Sequence, residues 1–352
     1  MSPAEDLWSE RDTNPDAIET ALRELLRERH AENETLAPAR VLNLIVVVDR
    51  DWKGEVANRL QRVGRYHASR TILCAVEPGR KSLDARAVMT YEVPEQSGGL
   101  GLMREEVEID IGPEHLPRLQ SIIDPVIVSE LPTMVWAPHG HDEAVDALVE
   151  LTDVVLLDSD DSPDVADAFD RARHLSHSSY VVDLAWLRTT PWRERLAASF
   201  DPRRRRNALS EISAVAVRHR SSASASALLL VGWLASRLGW TVETLEDMGG
   251  GAFDGEASVN VHTVGLRIEP ADQDVPGLAG VTIECGDLFS IALDRGPGGL
   301  RAHVHAFDGE EREWRVLGAS RGEAGILGEG VRQALLRDAT YSPALAAARR
   351  FC

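Results

Sequence analysis

The sequence predicts a protein of the α/β class. Its N-terminal half reads as an open, mostly parallel sheet with helices on both faces. An α+β domain with an antiparallel sheet and a buried central helix follows. Three observations carry this expectation. Strand-like and helix-like segments alternate from Val41 to about residue 175, the rhythm of crossover connections between parallel strands. After Ile212 the rhythm changes to β segments separated by Gly/Pro/Asp turns. Within this second half lies Ser226–Leu238, apolar nearly all round and therefore expected at the centre of a core, with Gly239 placed to cap its C-terminus.

In chain order, Asn14 and Pro15 open a helix in which Ile18, Ala21, Leu22, Leu25 and Leu26 form one stripe. It docks on its own domain or, alternatively, on a partner surface. Leu42–Val48 is an almost unbroken branched run, the pattern of a strand covered on both faces. A helix from about Lys53 aligns Val56, Leu60 and Val63, and the strand Thr71–Val76 follows. Ala87–Glu92, the alternating Val107, Ile109 and Ile111, and the short Thr133–Trp136 complete the early strands. A helix over Asp142–Leu151 precedes the strand Val154–Leu157, and Pro163 opens a helix carrying Val165, Ala168, Phe169 and Ala172. The second half begins with a strand over Ile212–Val217. Beyond the central helix come Ser258–Ile268, Gly280–Leu293, Leu300–Ala306 and Glu313–Leu317, then helices over Glu323–Arg337 and after Pro343. The implied organisation is an N-terminal helix and linker over 1–37, an α/β domain over 38–178 and a C-terminal α+β domain over 179–352.

Composition narrows the function. The chain has 352 residues, 43% hydrophobic and 27% charged, ordinary values for a globular protein. A net charge of −19 argues against a nucleic-acid partner, since neutralising phosphates takes a basic surface. The one basic run, Arg203–Arg206, is a solvated loop or a dock for an acidic partner. Cys74, Cys285 and Cys352 are unclustered and odd in number, which is neither a disulfide framework nor a zinc site and suits a reducing cytoplasm. Cys74 is expected to be inert within its strand and Cys352 more accessible. The longest apolar run, Ala227–Ala235, is too short to cross a membrane, and the acidic N-terminus is no signal peptide.

A search for chemistry returns no complete constellation, so no cofactor and no metal is expected. A dinucleotide-binding sheet needs its glycine-rich turn after the first strand, but Val48 is followed by Asp49-Arg-Asp-Trp-Lys-Gly54, with a single glycine. Gly249-Gly-Gly-Ala-Phe-Asp-Gly255 precedes a strand-like stretch and reads as a mobile hairpin loop. His303 and His305 could share a metal on one strand face but lack an evident third ligand. His139 and His141 follow a strand end. Asp158, Asp160, Asp161 and Asp164 follow another, where a cation or the dipole of the next helix accounts for them equally. No nucleophile elbow or Cys–His pair is present.

The densest segment is Asp183-Leu-Ala-Trp-Leu-Arg-Thr-Thr-Pro-Trp-Arg193, running on to Phe200. Alternation over Tyr180–Arg188 predicts an extended strand, and Thr190 is placed to cap a helix that begins at Pro191. Trp186, Arg188, Trp192, Arg193 and Arg195 either seal a domain seam, with arginine stems covering apolar surface, or form a partner-binding edge rich in hot-spot residue types.

That segment, followed by Val231-Gly-Trp-Leu-Ala-Ser-Arg-Leu-Gly-Trp240, resembles the OpcA family, the glucose-6-phosphate dehydrogenase assembly proteins of actinobacteria and cyanobacteria. Arg40-Val-Leu-Asn-Leu-Ile-Val-Val-Val48, Tyr66-His-Ala-Ser-Arg-Thr-Ile72 and Leu131-Pro-Thr-Met-Val-Trp136 match in the same order, from about residue 38 to 240. The resemblance implies a non-catalytic assembly factor or allosteric activator. It would bind glucose-6-phosphate dehydrogenase and promote its active oligomer in the pentose phosphate pathway. The alternative is a nucleotide- or sugar-phosphate-dependent enzyme using the strand ends, with Asp49, His139, His141 and Asp158, and Arg188 or Arg193 holding an anion.

Overall fold

The structure is a computed structural model and describes residues 4–32, 36–38, 40–64, 69–92, 101–259, 262–306, 311–317, 323–333 and 336–352. Tyr66, His67 and Ala68 of the matching segments lie outside the described residues, as do two positions of the helix read over Glu323–Arg337. The chain divides into two compact units. One comprises 1–157 and 175–182, the other 158–174 and 183–352.

The first unit is built on a largely parallel sheet. Its elements are β1 (Ala4–Glu10), α1 (Pro15–Glu32), β2 (Leu36–Pro38), β3 (Leu42–Asp49), α2 (Lys53–Gly64), β4 (Ser69–Val76), β5 (Asp84–Glu92), β6 (Gly101–Ile111), α3 (Leu119–Ile123), β7 (Thr133–Trp136), α4 (Asp142–Ala147), β8 (Val154–Leu157) and β9 (Tyr180–Asp183). The strand order is β1-β5-β6-β4-β3-β7-β8-β9, with β2 on β6. β3 pairs parallel with β4 on one side and with β7 on the other, so the order reverses direction at β3. Leu42 and the run Leu44–Val48 are buried, as a strand covered on both faces must be. The antiparallel β1 and β5 extend one edge, and β1 has no counterpart in the sequence reading. α1 buries Ile18, Ala21 and Leu22 and packs against β5, the own-domain docking of the two alternatives.

The second unit holds α5 (Val165–Leu175), α6 (Leu184–Phe200), α7 (Arg203–Arg206), β10 (Ala214–Arg220), α8 (Ser224–Leu238), β11 (Thr241–Val242), β12 (Glu246–Gly249), β13 (Ala252–Val259), β14 (His262–Ala271), β15 (Leu278–Cys285), β16 (Phe289–Gly296), β17 (Gly299–Ala306), β18 (Glu311–Leu317), α9 (Glu323–Gln333) and α10 (Tyr341–Ala348). The sheet order is β11-β13-β14-β10-β15-β16-β17-β18, with β12 on β13. Only the β10–β14 pair is parallel among the pairings described.

Three readings of the sequence are corrected here. Ser258–Ile268 is not one strand, since it spans the antiparallel pair β13 and β14. Gly280–Leu293 likewise divides into β15 and β16, because Gly286, at φ 49°, turns the chain within it. Most consequentially, the extended segment over Tyr180–Arg188 ends at Asp183. Helix α6 begins at Leu184 and runs through Pro191 to Phe200, so Thr190 is no cap. The cap is Asp183, whose carboxylate accepts from Ala185 N at 2.9 Å. Leu184 to Thr189 are all buried, which erases any amphipathic period and leaves alternation as an accident of composition. Thr190 Oγ1 instead accepts from Arg193 Nη2 at 3.0 Å.

The buried central helix is α8, closed by Gly239 at φ 69°. Ala225 to Gly232, Leu234 and Ala235 are buried, whereas Trp233 is only half-buried, short of the all-round burial its sequence suggested. α8 packs against α10, and Gly232 sets how closely. A Cβ built there would lie 2.9 Å from Ala348 N and would collide with the Ala344 carbonyl. Exposed helical glycines usually gain about 0.5–1 kcal/mol on replacement by alanine. Gly232→Ala should do the opposite and destabilise by about 1–3 kcal/mol through overpacking, read as a lower urea midpoint.

Candidate functional site

The segment singled out by its tryptophans and arginines is held by a buried acidic cluster of the second unit. Asp183, at the end of β9, does more than cap α6. It also accepts from Ser159 N (3.1 Å), Ser159 Oγ (2.6 Å) and Tyr341 Oη (3.0 Å). Asp160 accepts from Ser226 N (2.9 Å) and Ser226 Oγ (2.5 Å), which places its carboxylate at the N-terminus of α8. Ser226 Oγ also lies 3.1 Å from Ala185 O, tying the first turns of α6 and α8 together. Arg188 supplies the counter-charge, with Nη1 and Nη2 donating to the two oxygens of Asp158 at 2.7 and 2.6 Å, and Nη1 lying 3.4 Å from Asp160.

Electrostatics make this cluster costly to bury. Burial first, and then the nearby Asp158 charge, push the Asp183 carboxyl up to about 6 against the pull of its hydrogen bonds. Asp160 is raised for the same two reasons, with Arg188 and Ser226 opposing. A cleft of about 740 Å³ opens beside the cluster, lined by Asp160, Asp164, Ser222, Ser224, Gly250 and Cys352 among others.

The other candidates lie along α6. Trp186 is buried, donates from Nε1 to Asp338 Oδ2 at 2.9 Å, and meets Tyr341 at a ring separation of 5.7 Å. Arg193 stacks on it, its guanidinium carbon 3.5 Å from the ring centroid, while its Nε donates to Thr189 Oγ1 at 2.9 Å. Burial lowers the Arg193 pKa to about 10. Trp192 is fully buried, with the Arg295 guanidinium 5.7 Å from its ring. Arg195 is half-buried. The structure therefore brings Trp186 and Arg193 together and sets Arg188 in an ion-pair cluster. Trp186, Arg188 and Trp192 lie in the interior of this unit.

The strand-end candidates divide likewise. Asp49 and His141 meet at 3.1 Å, and His139 stacks on Trp52 with ring centroids 4.9 Å apart. His139, Gly140 and His141 all have positive φ, at 68°, 111° and 63°. The turn after β3 is a short 3-10 segment, Arg50–Trp52, without a glycine cradle. Lys53 there bridges Glu108 (3.0 Å) and Asp110 (2.9 Å), and Arg50 meets Asp110 at 3.1 Å. Asp164 accepts from Asp167 N (2.9 Å) at the start of α5, and His305 lies 3.1 Å from Glu311. Among the described residues no group of three or more His, Cys, Asp or Glu is arranged to hold a metal. Gly250 and Gly251 fall between β12 and β13, the hairpin expected of the glycine run. Burial raises the Cys74 thiol to about 12, Cys285 to about 12 and Cys352 to about 11, so all three are protonated at neutral pH.

Sequence reasoning missed Asp183 as a cap, and Ser226, Asp338 and Tyr341 as partners. Aspartate before an apolar run was a usable signal. The other three lie 43 to 158 residues from Asp183 along the chain, and nothing local marks them.

The fold and this segment describe a protein of two α/β and α+β units organised around capped, buried helices. A family model described as the glucose-6-phosphate dehydrogenase subunit N-terminal domain matches residues 60–174, and one described as the subunit's C-terminal domain matches 179–345. The chain belongs to the OpcA family. An OxPP cycle protein OpcA of Synechococcus elongatus is 24% identical over 257 residues, covering 70% of this chain and 56% of that protein. Its namesake in Synechocystis sp. is 32% identical over 131 residues, covering 36% and 27%. The chain thus spans about half or less of the length of these relatives. Among solved structures, the transcriptional regulator Gal80p of Kluyveromyces lactis is similar with a TM-score of 0.47 and 9% identity, over 88% of this chain and 87% of that one. A likeness so remote bears on no activity.

Two outcomes are expected of the cluster. Arg188→Ala leaves two buried carboxylates unpaired and should cost about 3–5 kcal/mol in chemical denaturation. Because the folded Asp183 pKa is raised, folding takes up a proton there. Its stabilising share is complete below about pH 4 and is lost as pH rises through about 6, a swing of about 3 kcal/mol. Denaturation of wild type and Asp183→Asn at pH 4, 5, 6 and 7 should show this fall in the wild type only, over and above the other carboxylates common to both.

Proposed function

We propose that the chain is a non-catalytic assembly factor or allosteric activator that binds glucose-6-phosphate dehydrogenase and promotes its active oligomer in the pentose phosphate pathway. The observation that carries this reading is the match of both halves of the chain to family models described as domains of a glucose-6-phosphate dehydrogenase subunit. The turn after β3 supports it, because the basic side chains there are engaged by Glu108 and Asp110 instead of bordering a glycine-rich cradle. The reading includes a cytoplasmic location and no nucleic-acid or membrane partner. No helix among the described residues is long and apolar enough to cross a membrane.

Of the five contact candidates, Trp186, Arg188 and Trp192 would shape α6 from within, leaving Arg193 and Arg195 to border the partner. An activator must bind the active state of the dehydrogenase better than the inactive one, and about 1.4 kcal/mol of difference shifts that equilibrium tenfold. The expected outcome is a lower KM for glucose 6-phosphate, a higher kcat or a larger oligomer when the chain is added to the dehydrogenase. Arg195→Glu should weaken the effect by more than any loss of folded protein accounts for, with circular dichroism measured alongside. Unchanged kinetics together with an unchanged size-exclusion profile at saturation would remove the assignment.

One observation favours the enzyme reading. Asp49 and His141 pair at the end of β3, where the strand order reverses, and His139 and His141 hold left-handed backbones of the kind found at functional sites. Thermal stabilisation by a nucleotide or sugar phosphate that disappears in His141→Ala would support that reading.

A further inference from the structure

Arg195 on α6 and Arg205 on α7 line a cavity of about 130 Å³ together with Ser199, Leu293, Ala302 and Trp314. Among the described residues no carboxylate lines it. Two other sequestered arginines of this unit meet aspartates: Arg188 meets Asp158 and Arg193 meets Asp338. In a chain of net charge −19, two neighbouring guanidiniums without an ion pair among the described residues are a departure from the pattern. Arg195 Nε is also buried and has no hydrogen-bond acceptor there. A buried donor without an acceptor is costly, and a bound anion would supply one. Arg205 is anchored by donating from Nη1 to Ser199 O at 3.3 Å, which holds it over the last turns of α6. The same short helix carries the exposed Arg203 and Arg206, which add positive potential to this face.

We propose that this cavity is an oxyanion site that takes the phosphoryl group of a small phosphorylated metabolite. The guanidinium fork matches phosphate oxygens in a bidentate manner. One arginine saturates a carboxylate, whereas a phosphoryl group has three terminal oxygens and up to two charges to satisfy, which suits two arginines on one cavity. The volume equals that of about four liquid waters, room for such a group with part of its hydration. The indole of Trp314 and the side chain of Leu293 offer apolar walls to the carbon skeleton that carries it. The site goes beyond the partner-binding reading and shares Arg195 with it, and phosphate binding by the chain alone tests it with no dehydrogenase present.

The test uses the full chain in a phosphate-free buffer, with ionic strength held constant by sodium chloride. Inorganic phosphate should raise the melting temperature saturably. Calorimetry should show at least a tenfold weaker Kd in Arg195→Gln and in Arg205→Gln. Arg205 lies on a four-residue, partly exposed helix, so its variant keeps the fold if Arg195→Gln does not. Arg205→Lys, which keeps the charge but loses the fork, should bind more weakly than wild type. Succinate at matched concentration should give no comparable shift. No stabilisation of the wild type, or equal stabilisation in both Gln variants, would overturn the site. Equal binding of succinate would overturn the phosphoryl assignment.

Discussion

The second unit depends on burying three aspartates close together, two of them paired with one arginine. Each carboxylate has a structural use: Asp183 starts α6, Asp160 starts α8, and Asp158 fixes Arg188 between them. Burying charge is expensive, and breaking such a pair costs more than forming it gains. The cluster is tolerable because nearly every oxygen is satisfied by a backbone N–H, a hydroxyl or a guanidinium N–H. Once these helices are fixed at their N-termini, Trp186 and Trp192 fall on buried faces and Arg193 is folded down onto Trp186.

Much of the fold was legible because hydrophobic periodicity reports burial directly. Leu42–Val48 gave away a doubly covered strand, and Ser226–Leu238 with Gly239 gave away the central helix and its end. Periodicity failed at Leu184–Thr189 for a definite reason. Where every residue is buried there is no polar face to mark a period, and Thr-Thr-Pro then reads as a stronger boundary than it is. The hairpins hidden in Ser258–Ile268 and Gly280–Leu293 failed differently, since each reads as one long strand although Gly286-Asp287 is a turn signal within the second.

The site was legible in residue type more than in role. Trp and Arg density pointed to α6, but the same residue types serve interiors and interfaces, and only contacts distinguish them. Asp158 and Asp160 stood out as an acidic group after a strand, a pattern shared by cation loops and helix caps. In the structure Asp158 is engaged by Arg188, and Asp160 by Ser226 at the start of α8 rather than by the helix that follows Pro163. Neither Arg188, 30 residues away, nor Ser226, 66 residues away, could be assigned to them locally.

The chain passes from one unit to the other three times, so residues 158–174 belong with the unit that resumes at 183. A recombination event that joined a foreign N-terminal half at the boundary between the two family matches would leave α6 and α8 without Asp158 and Asp160. The resident helices would keep the Asp183 cap but lose the carboxylate at the N-terminus of α8 and the counter-charge of Arg188. Shuffling at that point is therefore permitted only between sequences that already share the loop after β8. For this architecture, the heritable module is a discontinuous one.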